Sequence, residues 1–233
     1  MHRISDLRRR LGRRGLIAAT AVAASVAIPA GTALAHPHVW VDSRSDILFN
    51  EAGTISGIRH AWTFDEMFSA YAIQGLDEDQ DGTLTREELQ PLAQVNVESL
   101  NEFDFFTYLG VIGVDEVYGL FQEPVDYWLD YDGERLTLHF TLPLTEPFDP
   151  KQGETAIEVY DPTFFVDFAL AETDTAMLVD APAGCGLEIE RAQGFDPSTA
   201  GMLSQIPADV RDLPPEILEL TEGNANTIRI RCE

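Results

Sequence analysis

The chain has 233 residues, 45% of them hydrophobic, with 15 Lys+Arg against 40 Asp+Glu and a formal charge of −25. Length and apolar fraction suit one large globular domain or two small ones and argue against wholesale disorder. The charge argues against nucleic acid and anionic lipid surfaces, whose phosphates need clustered Lys and Arg. It points instead to cations, although acidity also simply keeps proteins soluble.

The first segment runs against that balance. Arg3, Arg8, Arg9, Arg10, Arg13 and Arg14 precede an apolar run from Leu16 to Leu34 that closes on Ala33-Leu34-Ala35. Basic, apolar and small-residue regions in that order predict a secretory signal peptide over residues 1–35, cleaved after Ala35. An uncleaved anchor is the rival reading, since the run is nearly long enough to span a bilayer. Arg13-Arg14-Gly15-Leu16-Ile17 resembles a twin-arginine export signal, so the export route stays open. No lipid-anchor motif is evident. Residues 36–233 would then form a single β-rich domain, with 9 Lys+Arg against 39 Asp+Glu.

Val39 to Phe49 and Thr54 to Phe64, rich in β-branched and aromatic residues, flank Asn50-Glu51-Ala52-Gly53 and predict a strand, turn and strand. Phe64, Met67, Phe68 and Tyr71 repeat at helical spacing, so Asp65 to about Gln74 reads as an amphipathic helix with Asp65 as its N-cap. A second helix follows from the Thr85/Glu88 capping box, with Leu89, Ala93, Asn96, Leu100 and Phe103 on one face. Pro91 inside it is expected to kink or restart it.

After Gly110 the pattern turns to strands. Val125 to Leu129 and Arg135 to Leu142 flank Asp132-Gly133, a hairpin signal. Thr155 to Tyr160, Phe164 to Ala169, Gly186 to Arg191 and Thr227 to Cys232 are further strands, and Ser198 to Ile206 a short helix. The predicted class is α+β, mostly antiparallel and sandwich-like, with a helix–calcium loop–helix inserted at about residues 65–105.

That loop is Asp77-Glu78-Asp79-Gln80-Asp81-Gly82-Thr83-Leu84-Thr85-Arg86-Glu87-Glu88. It matches the twelve-residue EF-hand pattern at each defining place: carboxylates at Asp77, Asp79 and Asp81, the bend at Gly82, the Thr83 carbonyl, a water-mediated contact at Thr85 and a bidentate Glu88. Oxygen ligands select hard ions, hence calcium. The competing reading is a solvated acidic turn. A single loop of this kind suits a structural calcium site of affinity about 10⁻⁴–10⁻³ M rather than a switch.

Cleavage after Ala35 would leave His36 first, followed by Pro37 and His38. A terminal amine and imidazole can chelate copper, nickel, cobalt or zinc, and His38 could add a second imidazole. Pro37 lacks an amide N–H and so blocks the square-planar amide chelate. His60 and His139, each in a predicted strand, are the remaining candidates to complete such a site. A frayed terminus that happens to carry imidazoles is the alternative. Cys185 and Cys232, an even count in an exported chain, predict a disulfide, with zinc ligation as the lesser option. No nucleophile, zincin or phosphate-loop motif occurs, so no enzyme is expected.

His36-Pro37-His38-Val39-Trp40-Val41-Asp42, Trp62-Thr63-Phe64-Asp65-Glu66-Met67-Phe68, the Asp-rich loop, Tyr160-Asp161-Pro162-Thr163-Phe164-Phe165 and the stretch Asn226 to Cys232 resemble a bacterial family of exported proteins known as domain of unknown function 1007. The resemblance implies the periplasmic component of an uncharacterised ABC-type transport system, in a family often associated with nickel/cobalt or zinc. The function so implied is that of a periplasmic metal-handling accessory protein, with an inner-membrane metal transporter as its expected partner. The alternative is a calcium-stabilised structural or interaction protein with no transition-metal role. A copper-dependent oxidase with a terminal His brace comes third.

Overall fold

Asn50 turns the chain back on itself at the first hairpin. Its carboxamide oxygen accepts from the N–H groups of Ala52 and Thr54 and from the Thr54 hydroxyl, and Gly53 takes the left-handed φ of 77° that the turn needs. The strands so joined are β1 (Val39–Phe49) and β2 (Ile55–Phe64). The computed structural model describes residues 37–114, 121–206, 210, 214–222 and 224–233, all within one compact unit spanning residues 34–233. The expected signal peptide and His36 lie outside the described residues.

The remaining elements follow in order. Helices α1 (Glu66–Ala72) and α2 (Arg86–Leu100) lead through a 3-10 segment, Asn101–Phe106, into β3 (Thr107–Val111). Strands β4 (Val125–Tyr131), β5 (Leu136–Phe148), β6 (Thr155–Val159), β7 (Val166–Leu170), β8 (Ala176–Val179) and β9 (Cys185–Glu190) come next. Helices α3 (Pro197–Leu203) and α4 (Pro215–Glu222) precede the last strand, β10 (Asn226–Cys232).

Two sheets result. The larger has the order β4-β5-β2-β1-β7, with β8 also paired to β1, and the smaller the order β3-β6-β10-β9. Most pairings are antiparallel, as expected. Strands β7 and β8 are the departure: both run parallel to β1, in series, against Val39–Ser43 and Ser45–Leu48 respectively. Strand β1 is long enough to take both, and the chain reaches that edge from the other sheet.

Alternation along the three long strands puts Val39, Val41, Ile47 and Phe49 of β1, Ile58, Trp62 and Phe64 of β2, and Leu136 to Leu144 of β5 on one buried face. Two covers bury it. At one end Leu89, Ala93, Val97 and Leu100 of α2, spaced on one helical face, pack over Val41, Trp62 and Leu138. At the other end Leu109, Ile157, Ile228 and Ile230 of the smaller sheet pack over Ile47, Ile58 and Leu144. Between the covers lies a polar seam of fully buried Ser43, Ser45 and His60.

The structure departs from the sequence reading at several further elements. Helix α1 stops at Ala72, with Ile73 as C-cap, rather than near Gln74. Helix α2 runs through Pro91 as one helix, without the expected restart. Its α-helical part stops at Leu100 and passes into the 3-10 segment, in which the backbone leaves helical angles at the expected Phe103 and then takes left-handed φ of 50° and 55° at Asp104 and Phe105. Strand β3 begins before Gly110, and β8 and α4 are elements beyond those expected. The hairpin at Asp132-Gly133 is present, with the Asp132 carboxylate accepting from the N–H groups of Glu134 and Arg135.

Cys185 and Cys232 are register partners on β9 and β10 and form a disulfide across 47 residues. It ties the final strand into the sheet that covers half the core. Closing a loop of that length is worth about 3–4 kcal/mol in the chain-entropy model. Replacing both cysteines by serine is therefore expected to lower the unfolding free energy by up to that amount in urea titrations. Thiol assay of the denatured, unreduced protein is expected to find no free thiol.

Candidate metal centre

The acidic loop is held at both ends by the larger sheet. On the entry side, Asp65 caps α1 by accepting from Met67 and Phe68 N–H, and its other oxygen accepts from Trp40 N–H on β1. Ser69 Oγ, fully buried, accepts from Leu136 N–H of β5 at 2.9 Å. On the exit side, the Arg86 guanidinium lies 3.7 Å over the Trp128 ring, and Leu84 packs against the core beneath α2.

Within the loop each carboxylate is turned inward by backbone N–H groups. Asp77 accepts from Asp81 and Gly82, Asp79 also from Asp81, and Asp81 from Thr83 at 2.7 Å. Gly82 takes φ 83° and Gln80 φ 60°, the two places where the chain must bend left-handed. Oxygens of Asp77, Asp79 and Asp81 thereby lie within 4.8 Å of one another. Glu88 bridges the two sides of the loop: Oε1 accepts from Glu78 N–H, and Oε2 from the N–H and hydroxyl of Thr85. The Thr85 and Glu78 bonds hold the Glu88 carboxyl below the usual range.

These residues fit a hard cation. The donors are oxygen only, three carboxylates converge, and the fourth is anionic and spans the loop. Among the described residues, the ion pairs engage Asp42, Asp46, Asp130, Glu154 and Glu190. None offsets the charge of Asp77, Asp79 or Asp81.

Among the described residues the histidines do not converge. His38 is exposed, its N–H donating to the Phe165 carbonyl and its ring 4.7 Å from that of Phe165. His60 faces Ser45 in the β1–β2 register, seven residues along β1 from His38, or about 23 Å at the rise of a strand. It is buried, with Nδ1 3.0 Å from Ser45 Oγ and Nε2 3.3 Å from Thr107 Oγ1. Burial lowers its pKa to about 3, and both nitrogens are engaged, which removes it as a ligand.

His139 pairs with Ala61, which faces Arg44, so it is about 20 Å along the sheet from His38. Its ring stacks on Trp128 at 3.8 Å and 8°. Nε2 is 3.4 Å from Asp130 Oδ2, an electrostatic contact without hydrogen-bond geometry. Burial lowers its pKa, and Asp130 opposes the shift. The stack of Arg86, Trp128 and His139, which ties the loop exit to the open face of the sheet, has no sequence signal, because its members are brought together only by strand pairing.

Among known proteins, the family described as "Protein of unknown function (DUF1007)" matches residues 21–232. An uncharacterised protein of Haemophilus influenzae is 25% identical over 138 residues, which are 59% of this chain and 64% of the relative. The chain thus spans a little under two thirds of that relative's length.

The buried imidazole generates a pH prediction. In the folded state His60 titrates at about 3, against 6.5 when exposed. The unfolded chain therefore binds the proton first, and stability is lost as pH falls from 6.5 towards 3. The expected slope from this group is about 1.4 kcal/mol per pH unit between pH 6 and 4. Urea unfolding of the wild type is expected to show that slope, and His60→Gln a flatter one by the same amount.

Proposed function

This chain belongs to the DUF1007 family of proteins of unknown function, and we propose that it is a periplasmic metal-handling accessory protein whose acidic loop holds one calcium ion. The observation that carries the calcium reading is the convergence of Asp77, Asp79 and Asp81 within 4.8 Å in a loop bridged by Glu88. Asp77, Asp79, Asp81 and Glu88 would hold the ion through carboxylates and Thr83 through its backbone carbonyl. Bound there, calcium supplies positive charge to a cluster that no side-chain cation among the described residues neutralises, and it joins the start of the loop to the start of α2.

The disulfide and the expected signal peptide support export, and no described helix is long and apolar enough to cross a membrane. The transition-metal part of the reading, with nickel, cobalt, zinc or copper as the ion and an inner-membrane transporter as partner, rests on His36 and His38 and on the family resemblance alone. A second reading, a calcium-stabilised interaction protein, is favoured by the engagement of His60 and the distance of His139. Titrating the four metals into processed protein separates the two. The first reading expects affinity that His36→Ala with His38→Ala abolishes. Equal affinity in the double variant supports the second.

Calcium is expected to stabilise the fold by mass action. At 10 mM and an affinity of about 10⁻⁴–10⁻³ M, the gain is about 1.4–2.7 kcal/mol, or about 3–10 °C in Tm for a chain of this size. Glu88→Gln retains a capping side chain but not the charge, and it is expected to remove most of that shift. Thermal unfolding in chelator and in calcium provides the test.

A further inference from the structure

Helix α2 does not fill the whole inner face that it covers. Between its C-terminal half, Phe68 of α1 and the strands beneath lies a cavity of about 290 Å³. Val41, Trp62, Leu100, Phe106, Leu138 and Phe168 form its walls, and each is at most 9% exposed. Protein cores hold few voids larger than a water molecule, whereas an apolar cavity of roughly 150 Å³ already holds benzene. This one approaches the size range of ligand pockets, which begins at about 300 Å³. Its walls forfeit packing contacts that an apolar occupant would restore.

Polar side chains also line the cavity. Ser99, exposed on α2, donates its hydroxyl to the Val95 carbonyl at 2.8 Å, and Thr163 donates its own to Asp161 at 2.8 Å. Asn96 gives an amide N–H to the Leu92 carbonyl at 2.9 Å. Asp161, which also lines the cavity, accepts in addition from the N–H groups of Thr163, Phe165 and Val166. The four bonds occupy both oxygens of the Asp161 carboxylate, while the indole Nε1–H of Trp62, a wall residue, has no acceptor among the described residues. The Asp161 charge disfavours an anionic headgroup, and the walls otherwise offer apolar surface.

We propose that this cavity binds a small uncharged molecule with an aromatic or alkyl body. The proposal is independent of the calcium reading. The walls select by burial of apolar surface, and the Asp161 carboxylate in the lining disfavours carboxylates, sulfonates and phosphates.

Two probes that share a skeleton test it. N-phenyl-1-naphthylamine is neutral and carries one N–H donor; 8-anilino-1-naphthalenesulfonate adds an anionic group. The neutral probe is expected to show a saturable fluorescence rise at one site per chain, and the sulfonate at least tenfold weaker binding. Ser99→Trp sets an indole in the lining and is expected to weaken the neutral probe at least tenfold with an unchanged far-UV circular dichroism spectrum. Bound probe is also expected to quench Trp62 emission by energy transfer, and quenching should persist in Trp40→Phe with Trp128→Phe. That measurement decides the matter if Ser99→Trp misfolds. Absence of saturable binding, equal affinity for the sulfonate, unchanged affinity in folded Ser99→Trp, or loss of quenching in the double variant would each overturn the proposal.

Discussion

Burying the inner face of β1, β2 and β5 along its full length is the constraint on which the structure depends. These strands run for 11, 10 and 13 residues, which at about 3.3 Å per residue gives 33–43 Å of apolar face. The four strands of the smaller sheet cover one end of it, and α2 covers the other. Leu89, Ala93, Val97 and Leu100 belong to the cover and to the helix that begins inside the acidic loop, so the loop is part of how half the core is closed. His60 sits where the two covers meet, joined to Ser45 of β1 and Thr107 of β3. A neutral imidazole there links the larger sheet to the smaller one within an otherwise apolar interior.

Charge explains why the loop stands apart from the rest of the surface. Arg44 and Arg59 both reach Asp46, Arg135 reaches Asp42, and Arg229 and Arg231 converge on Glu154, with Arg229 also on Glu190. Among the described residues only Arg86, Lys151 and Arg191 remain, and the loop carboxylates rely on backbone N–H groups instead. Dipoles can orient such a cluster, but they supply less compensation than a divalent ion at its centre. The calcium reading follows from that imbalance as well as from the spacing of Asp77, Asp79 and Asp81.

Much of this was readable from residue order because it is local. The alternation in Val39–Phe49, the Asn50 and Asp132-Gly133 turns, the Asp65 cap, the Thr85/Glu88 box and the loop spacing all act within a dozen residues. Features fixed by distant partners were not readable. Nothing near β7 or β8 signals parallel pairing with β1, and four residues of β8 are too few to show a period. The two candidate strand histidines illustrate the same limit. His60 and His139 look alike as lone imidazoles in β sequence, yet one faces the core seam and the other the open face beside Trp128. Pro91 lies between residues that pack on the sheet, Leu89 and Ala93, and tertiary burial keeps the helix continuous despite its intrinsic cost.

The central claim is that calcium in the acidic loop secures the helical cover of the core. Amide hydrogen exchange with and without calcium tests it most directly, because it reads each element separately. Calcium is expected to slow exchange through the loop, throughout α2 and in the β4 and β5 segments beneath it, while the smaller sheet changes little. Slowing confined to residues 77–88, or none at all, would contradict it.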